Sequence, residues 1–255
     1  MILDGRAIDV VRIAPRAVDA PTLVFLHEGL GSVGLWRDFP ARLVERTGFG
    51  ALVYSRAGNG FSNVVRAPRE PGYMHDEALQ TLPSLLDAQS IRRAILIGHS
   101  DGASIALIFA ANFPERADAI VAIAPHVFVE AISLQSIGRI RERYATGELR
   151  ARMAPHHADV DATFYGWNDI WLHPAFRDWS IEAELARITA PILAVQGGND
   201  EYGTLAQLDS ISQHVVAPVD RLILARCGHA PHRNRPELTI ETIAAWVAQF
   251  DVSKP

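Results

Sequence analysis

The sequence predicts an α/β fold: a mostly parallel sheet flanked by helices, with a helical cap inserted into it. Three observations carry this expectation. Short apolar runs recur along the chain without the alternation of a half-exposed strand. Helical patterns separate those runs, the order that builds a parallel sheet. One long stretch, 127–186, breaks the rhythm, with helical pieces and no clear strand.

Taken in order, Ile8–Ile13 reads as an antiparallel edge strand. Buried strands follow at Thr22–Leu26 (TLVFL), Ala51–Tyr54 (ALVY), Ala94–Ile97 (AILI), Ala119–Ile123 (AIVAI), Ile192–Val195 (ILAV) and Arg221–Leu224 (RLIL). A strand covered by helices on both faces has no polar side to show, so its sequence is apolar throughout. The intervening helices are expected at Trp36–Arg46, His75–Gln89, Ala103–Asn112, Leu205–His214 and Leu238–Phe250. The domain division that follows is a core of residues 1–126 and 187–255 and a cap of 127–186. The cap holds a helix at Ser133–Thr146 and the aromatic run FYGWNDIWLHPAFRDW, which ends at Trp179.

The chain has 255 residues, 49% of them hydrophobic, enough for one large core with an insertion. Its 24 basic and 29 acidic residues give a formal charge of −5, which argues against nucleic acid as a partner. Cys227 is the single cysteine, so no internal disulfide forms, as suits a reducing compartment. The opening MILDGRAIDVVRIAP lacks the basic lead and apolar run of a secretory signal. After Ser100 the longest apolar stretch, Ala103–Ala111, falls far short of the ~20 residues that cross a membrane. The expectation is a cytoplasmic protein with no membrane partner.

Chemistry enters at Gly98-His99-Ser100-Asp101-Gly102, a match to G-x-S-x-G. Ser100 follows one strand directly and opens the next helix, the setting in which this motif exposes a nucleophile. Gly98 and Gly102 remove side chains that would clash on so tight a turn. The blander account is a serine that merely caps a helix. A nucleophilic hydroxyl needs a base, and the base needs an orienting acid, in the chain order Ser, Asp or Glu, His. Ile192–Val195 runs into Gln196-Gly197-Gly198-Asn199-Asp200, and Arg221–Leu224 into Arg226-Cys227-Gly228-His229. Asp200 and His229 thus leave the same end of the sheet as Ser100, a coincidence more specific than any one residue. The rivals are Glu201, expected to point elsewhere, and His232, expected inside the turn. Cys227 reads as a buried, inert thiol.

With these residues in hand, the chain resembles the α/β-hydrolase superfamily over essentially its whole length. The matching segments are GHSDG at 98–102, GGND at 197–200 and GH at 228–229. LHEGLGS at 26–32 is similar to the family's H-G-x-x-G-S loop, and RAGNGFS at 56–62 to its R-x-G-x-G-x-S turn. The resemblance implies an oxyanion hole made by the backbone N–H groups of Gly29 and Asp101, with His27 shaping the loop. Three positions depart from the family pattern. Glu28 replaces a glycine, Asp101 follows the serine, and Ser55 stands where many relatives carry an aspartate. Negative charge opposes a forming oxyanion, so either Glu28 and Asp101 turn away and hold loops through backbone or Arg56, or one of them selects against anionic acyl groups.

Trp167, Trp171, Phe176 and Trp179 either form a small core of the cap or line an acyl pocket, with Trp167, Trp171 and Glu28 the candidate substrate contacts. Arg139, Arg141, Arg143, Arg150 and Arg152 suit a phosphate-bearing leaving group or, diluted by Glu142 and Glu148, a solvated helix face. His156-His157 has no spaced carboxylate partner, so no metal site is expected, and no glycine-rich nucleotide fingerprint calls for a cofactor. The leading expectation is a cofactor-free serine hydrolase acting on a small carboxylic ester or thioester. Carbon–carbon bond hydrolysis, or a menaquinone-pathway-like lyase reaction, uses a similar triad and stands as the alternative. An epoxide hydrolase or dehalogenase is disfavoured, because those relatives carry aspartate where Ser100 stands. A ligand-binding protein that has lost its chemistry is the alternative from another class.

Overall fold

A computed structural model describes residues 1–250. A short hairpin, β1 (Ile2–Leu3) with β2 (Arg6–Ala7), precedes a seven-stranded sheet. The sheet strands are β3 (Val10–Ile13), β4 (Thr22–Leu26), β5 (Gly50–Tyr54), β6 (Ala94–His99), β7 (Ala117–Ile123), β8 (Ile192–Gly197) and β9 (Val219–Leu224), in the spatial order β3-β5-β4-β6-β7-β8-β9. Only β3 runs antiparallel, against β5; the remaining pairs are parallel. The helices are α1 (Phe39–Thr47), α2 (Tyr73–Asp76), α3 (Leu82–Ala88), α4 (Asp101–Asn112), α5 (Ala131–Ala145), α6 (Glu148–Met153), α7 (Val160–Leu172), α8 (Glu182–Leu185), α9 (Ala206–His214), α10 (Pro231–Asn234) and α11 (Pro236–Val247).

The uninterrupted apolar strands feed two cores. Val24, Leu26, Leu96, Ile120 and Ala122 pack on one face of the sheet. Leu23, Phe25, Ile95, Ile97, Ala119, Val121 and Ile123 pack on the other. Successive strand residues point to opposite faces, so both faces must be apolar if both are covered. Helix α4 is buried along nearly its whole circumference, from Asp101 to Ala111, because it lies between the central strands and outer helices. Strand β9 is the exception among the expected buried strands. It lies at the sheet edge and is only partly covered, with Asp220, Arg221 and Ile223 exposed and Leu224 buried.

The expected helix at His75–Gln89 is present from Tyr73 to Ala88, but a wider π turn at Glu77–Thr81 interrupts it. Pro83 follows that turn and has no N–H to donate to the preceding turn, which favours a local change of pitch. The N-terminal hairpin had no signal in the periodicity.

Between β7 and β8 the chain forms α5 to α8. Where this stretch begins and ends it is joined to itself: Phe128 bridges Ser180, Ile181 N–H donates to Val127 O at 2.8 Å, and Val129 N–H donates to Trp179 O at 3.3 Å. Its small private core is Tyr144, Met153, Val160 and Phe164, with the Tyr144 and Phe164 rings stacked at 3.6 Å. Trp167, Trp171, Phe176 and Trp179 belong instead to the main core. Phe164, Trp167 and Trp171 share one face of α7, at i, i+3 and i+7, and position along the helix axis divides them: Phe164 meets Tyr144, whereas Trp171, two turns on, meets His126 and Phe176. Three of the five arginines find local partners: Arg141 pairs with Asp169 at 2.6 Å, Arg150 with Asp161 at 2.7 Å, and Arg139 donates to Ser136 Oγ at 2.8 Å. Among the described residues no helix is long and apolar enough to cross a membrane, and no cluster of metal-ligating side chains is present.

Candidate active site

Ser100 sits between β6 and α4 with φ 53° and ψ −120°. A non-glycine residue at positive φ is strained, and here the surroundings enforce it. Ser100 N–H donates to Ile123 O at 2.9 Å, and its carbonyl accepts from Ala103 N–H at 2.8 Å as α4 begins. A side chain at Gly102 would run into the Leu26 and His27 carbonyls. That close approach presses the start of α4 against the loop after β4, placing Ser100 beside residues 27–31.

The expected acid and base, Asp200 and His229, come from the two neighbouring turns. A side chain at Gly197 would meet the Cys227 and Gly228 carbonyls, and Asn199 N–H donates to Cys227 O at 2.9 Å. The turns after β8 and β9 are thereby in contact. His229 Nδ1 lies 2.9 Å from Asp200 Oδ1 and 3.0 Å from Oδ2. The Asp200 carboxylate, 1% exposed, also accepts from Tyr202 N–H at 2.8 Å. Because Nδ1–H donates to the carboxylate, Nε2 is the basic nitrogen of the neutral ring. Burial opposes charge on His229, but the Asp200 charge and hydrogen bond outweigh it and raise the imidazole pKa above 6.5. Burial also works to raise the Asp200 pKa; the His229 charge and hydrogen bond overcome it and hold the carboxyl below its ordinary value.

Ser100 and His229 line one cavity of about 280 Å³ with Glu28, Gly29, Leu30, His126, Trp167 and Trp171. Among the described residues the Ser100 hydroxyl forms no hydrogen bond to the imidazole; without substrate such catalytic contacts are often long. A second cavity, about 400 Å³ between residues 65–69 and α7, contains none of Ser100, Asp200 and His229. Gly29 and Asp101 both line the Ser100 cavity, and among the described residues neither backbone N–H has an acceptor. Donors of this kind are what a developing oxyanion requires.

The two carboxylates differ from the expectation that backbone or Arg56 would hold them. The Glu28 carboxylate lies 3.2 Å from Arg233 Nη2 and 3.4 Å from His99 Nδ1. Burial would raise its pKa, but His99 and Arg233 hold it well below the usual carboxylate range. Asp101 accepts from Tyr73 OH at 2.6 Å, and Tyr73 OH in turn accepts from Trp171 Nε1 at 3.1 Å. Arg56 points elsewhere, to the His27 and Glu28 carbonyls. Glu201 also departs from expectation. It borders the cavity and accepts from His229 N–H at 3.1 Å, though it does not reach the ring. His232 lies in α10, buried against Trp36, Phe39 and His99, and burial keeps it neutral. Cys227 is buried, and burial raises its pKa.

His126 was missed by the sequence reading. It lines the cavity, packs at 5.6 Å from the His229 ring, and burial lowers its pKa to about 4. The strand-end rule that found Asp200 and His229 applies to it equally, since β7 ends three residues earlier at Ile123. Tyr73, the first residue of α2, left no comparable signal.

A family model described as "Alpha/beta hydrolase family" matches residues 23–242. Among curated proteins, the chain is 29% identical over 119 residues to the (lyso)-N-acylphosphatidylethanolamine lipase of Mus musculus, covering 46% of this chain and 34% of that protein. It is 30% identical over 111 residues to the 2-hydroxy-6-oxo-6-phenylhexa-2,4-dienoate hydrolase of Comamonas testosteroni, covering 43% and 38%. The chain thus matches about a third of the length of the first such relatives. Among solved structures it superposes on proline iminopeptidase from Mycobacterium smegmatis with TM-score 0.75 and 17% identity, over 98% of this chain and 96% of that one.

Proposed function

The chain belongs to the alpha/beta hydrolase family, and from that premise we propose that it is a serine hydrolase cleaving a small carboxylic ester or thioester through an acyl-enzyme. The observation that carries the reading is the Asp200–His229 pair, 2.9 Å apart, sharing a cavity with a strained Ser100 and two unpartnered N–H groups. Ser100 Oγ attacks the carbonyl carbon while His229 Nε2 takes its proton. The electron pair of the carbonyl moves onto oxygen, where Gly29 N–H and Asp101 N–H stabilise it. Collapse expels the alcohol or thiol, protonated by His229. Water, activated by the same imidazole, then releases the acid and restores Ser100. Asp200 fixes the tautomer and stabilises the imidazolium.

Residues 127–186 act as a cap in this reading. Ile137, Trp167 and Trp171 from it, with Leu30, supply an apolar wall for the acyl group. Glu28, Asp101 and Glu201 line the same space with, among the described residues, a single cation, Arg233, which is paired with Glu28; this excess of acidic residues disfavours an anionic acyl group. A second reading, hydrolysis of a carbon–carbon bond beside a ketone, draws support from the similarity to the Comamonas testosteroni hydrolase.

A fluorophosphonate probe on the purified protein tests the nucleophile. Labelling that disappears in Ser100→Ala supports it; absence of labelling at every concentration sinks it and leaves a ligand binder. A panel of p-nitrophenyl esters of graded chain length, run beside acyl-coenzyme A thioesters, then divides the readings. A labelled serine with no turnover of any ester or thioester points to carbon–carbon cleavage.

A further inference from the structure

The guanidinium of Arg56 is buried, 3% exposed, yet its hydrogen bonds go to no carboxylate. Nη1 donates to His27 O, and Nη2 donates to Glu28 O at 3.0 Å. The buried carboxyl whose charge Arg56 favours, Glu77, is bonded instead to Tyr54 OH at 2.7 Å. A desolvated cation directed only at carbonyls is costly unless it serves another group.

The carbonyl it meets explains the arrangement. Glu28 O accepts from three donors: Arg56 Nη2 at 3.0 Å, the His27 ring at 2.6 Å and Gly31 N–H at 2.9 Å. The His27 tautomer is settled by its neighbours. Nε2 accepts from Arg56 N–H at 3.0 Å, so Nδ1 carries the hydrogen and donates to Glu28 O. The peptide that bears this carbonyl also bears the Gly29 N–H. There are no cis peptides among the described residues, so N–H and C=O point in opposite directions. Locking the carbonyl into its three donors turns the N–H toward the Ser100 cavity. Donors on the oxygen also polarise the N–H at the other end of the amide.

We propose that Arg56 is a positioning residue for the oxyanion hole: it orients and polarises the 28–29 peptide so that Gly29 N–H meets negative charge as it develops on the substrate oxygen. The inference rests on the serine-hydrolase reading. His27 shares the task, and the positive charge behind the peptide acts in the same sense.

The test compares wild type with Arg56→Gln, which keeps a donor but loses the charge and the fork, and with Arg56→Lys, which keeps the charge alone. Three quantities are measured: kcat and KM on the best p-nitrophenyl ester, inhibition by a phenylboronic acid that forms a tetrahedral adduct, and inhibition by the product carboxylate. The expected result in Arg56→Gln is a kcat lower by on the order of 10²-fold, the size seen when one oxyanion donor is lost. Boronate affinity falls in parallel, KM and carboxylate affinity barely change, and Arg56→Lys recovers part of the loss. Wild-type kcat and boronate affinity in a folded Arg56→Gln would overturn the proposal, as would equal weakening of boronate and carboxylate. Should Arg56→Gln not fold, Arg56→Lys decides alone: a smaller loss with the same split supports the proposal, and wild-type kinetics overturn it. Fluorophosphonate labelling of the wild type keeps the two claims apart. Unlabelled Ser100 removes both; labelled Ser100 with unaffected variants removes only this one.

Discussion

The floor and the roof of the Ser100 cavity are held in different ways. The floor is built at strand ends, where hydrogen bonds to backbone carbonyls fix the geometry: Ser100 N–H on Ile123 O, Asn199 N–H on Cys227 O, and on Glu28 O one backbone donor and two side-chain donors. The roof comes from α5 and α7 and meets the floor through side chains. The Trp167 indole lies against Gly29, where a β-carbon would collide with it, and its buried Nε1 has no partner among the described residues. Trp171 reaches the floor by a chain of hydrogen bonds through Tyr73 to Asp101. A floor anchored on backbone carbonyls tolerates little change and suits the constant steps of the acyl transfer proposed above. A roof of replaceable side chains suits the variable part, the shape of the acyl group in that proposal.

The sharpest way to break this contrast lies in the floor. Asp200→Asn is expected to lower kcat by about 10⁴-fold, the loss expected when the imidazole is held in the wrong tautomer. It also moves the pH profile. The reaction needs neutral His229, so wild-type kcat/KM falls as pH drops through a pKa that Asp200 holds above 6.5. Without the carboxylate, burial dominates and the acid limb shifts to lower pH. A limb that stays in place would show that Asp200 does not set the base.

A roof substitution should behave otherwise. Trp167→Ala is expected to raise KM and broaden chain-length preference, with kcat within about tenfold of wild type if the indole contributes only uniform binding. Gly29→Ala drives a methyl into the indole, so Gly29→Ala alone loses activity and Trp167→Ala in that background restores part of it. The expected coupling is about 1 kcal/mol or more, as for residues in contact. Additive effects in the double-mutant cycle would mean that floor and roof are independent there.

The smallest expected effect is on stability in acid. Burial lowers the pKa of His126, in the floor, and of His157, beside the roof, to about 4. An unfolded chain takes protons near 6.5, which the fold refuses. Stability is therefore full above about 6.5 and is lost as pH falls toward 4. His157 Nδ1 accepts from Gly60 N–H at 3.0 Å, a contact that protonation removes. Urea midpoints at pH 7.5 and 4.5 check this, and His157→Gln should shrink the difference between them.

Much of this floor was legible in the sequence, because strands covered on both faces announce themselves by unbroken apolarity and their ends announce the site. The ends of Ile192–Val195 and Arg221–Leu224, read with the chain order Ser, Asp or Glu, His, pointed to Asp200 and His229. The roof was not legible in the same way. The aromatic run before Trp179 has one composition whether it faces a private core, the sheet or a cavity, and only what packs against each turn of α7 divides Phe164 from Trp167 and Trp171. The charged neighbours were less legible still. Nothing local says that Glu28 will meet Arg233, 205 residues away in sequence, or that Arg56 will choose carbonyls over carboxylates.

The paired ends of the stretch between β7 and β8 have a consequence for how such a protein changes over time. A segment that departs and rejoins at one spot, stitched by Phe128 and Ser180, can gain or lose turns without moving the strands it interrupts, since closing a longer loop adds little entropic cost. New substrate preferences can then be tried by exchanging one module, while the chemistry beneath it is inherited intact.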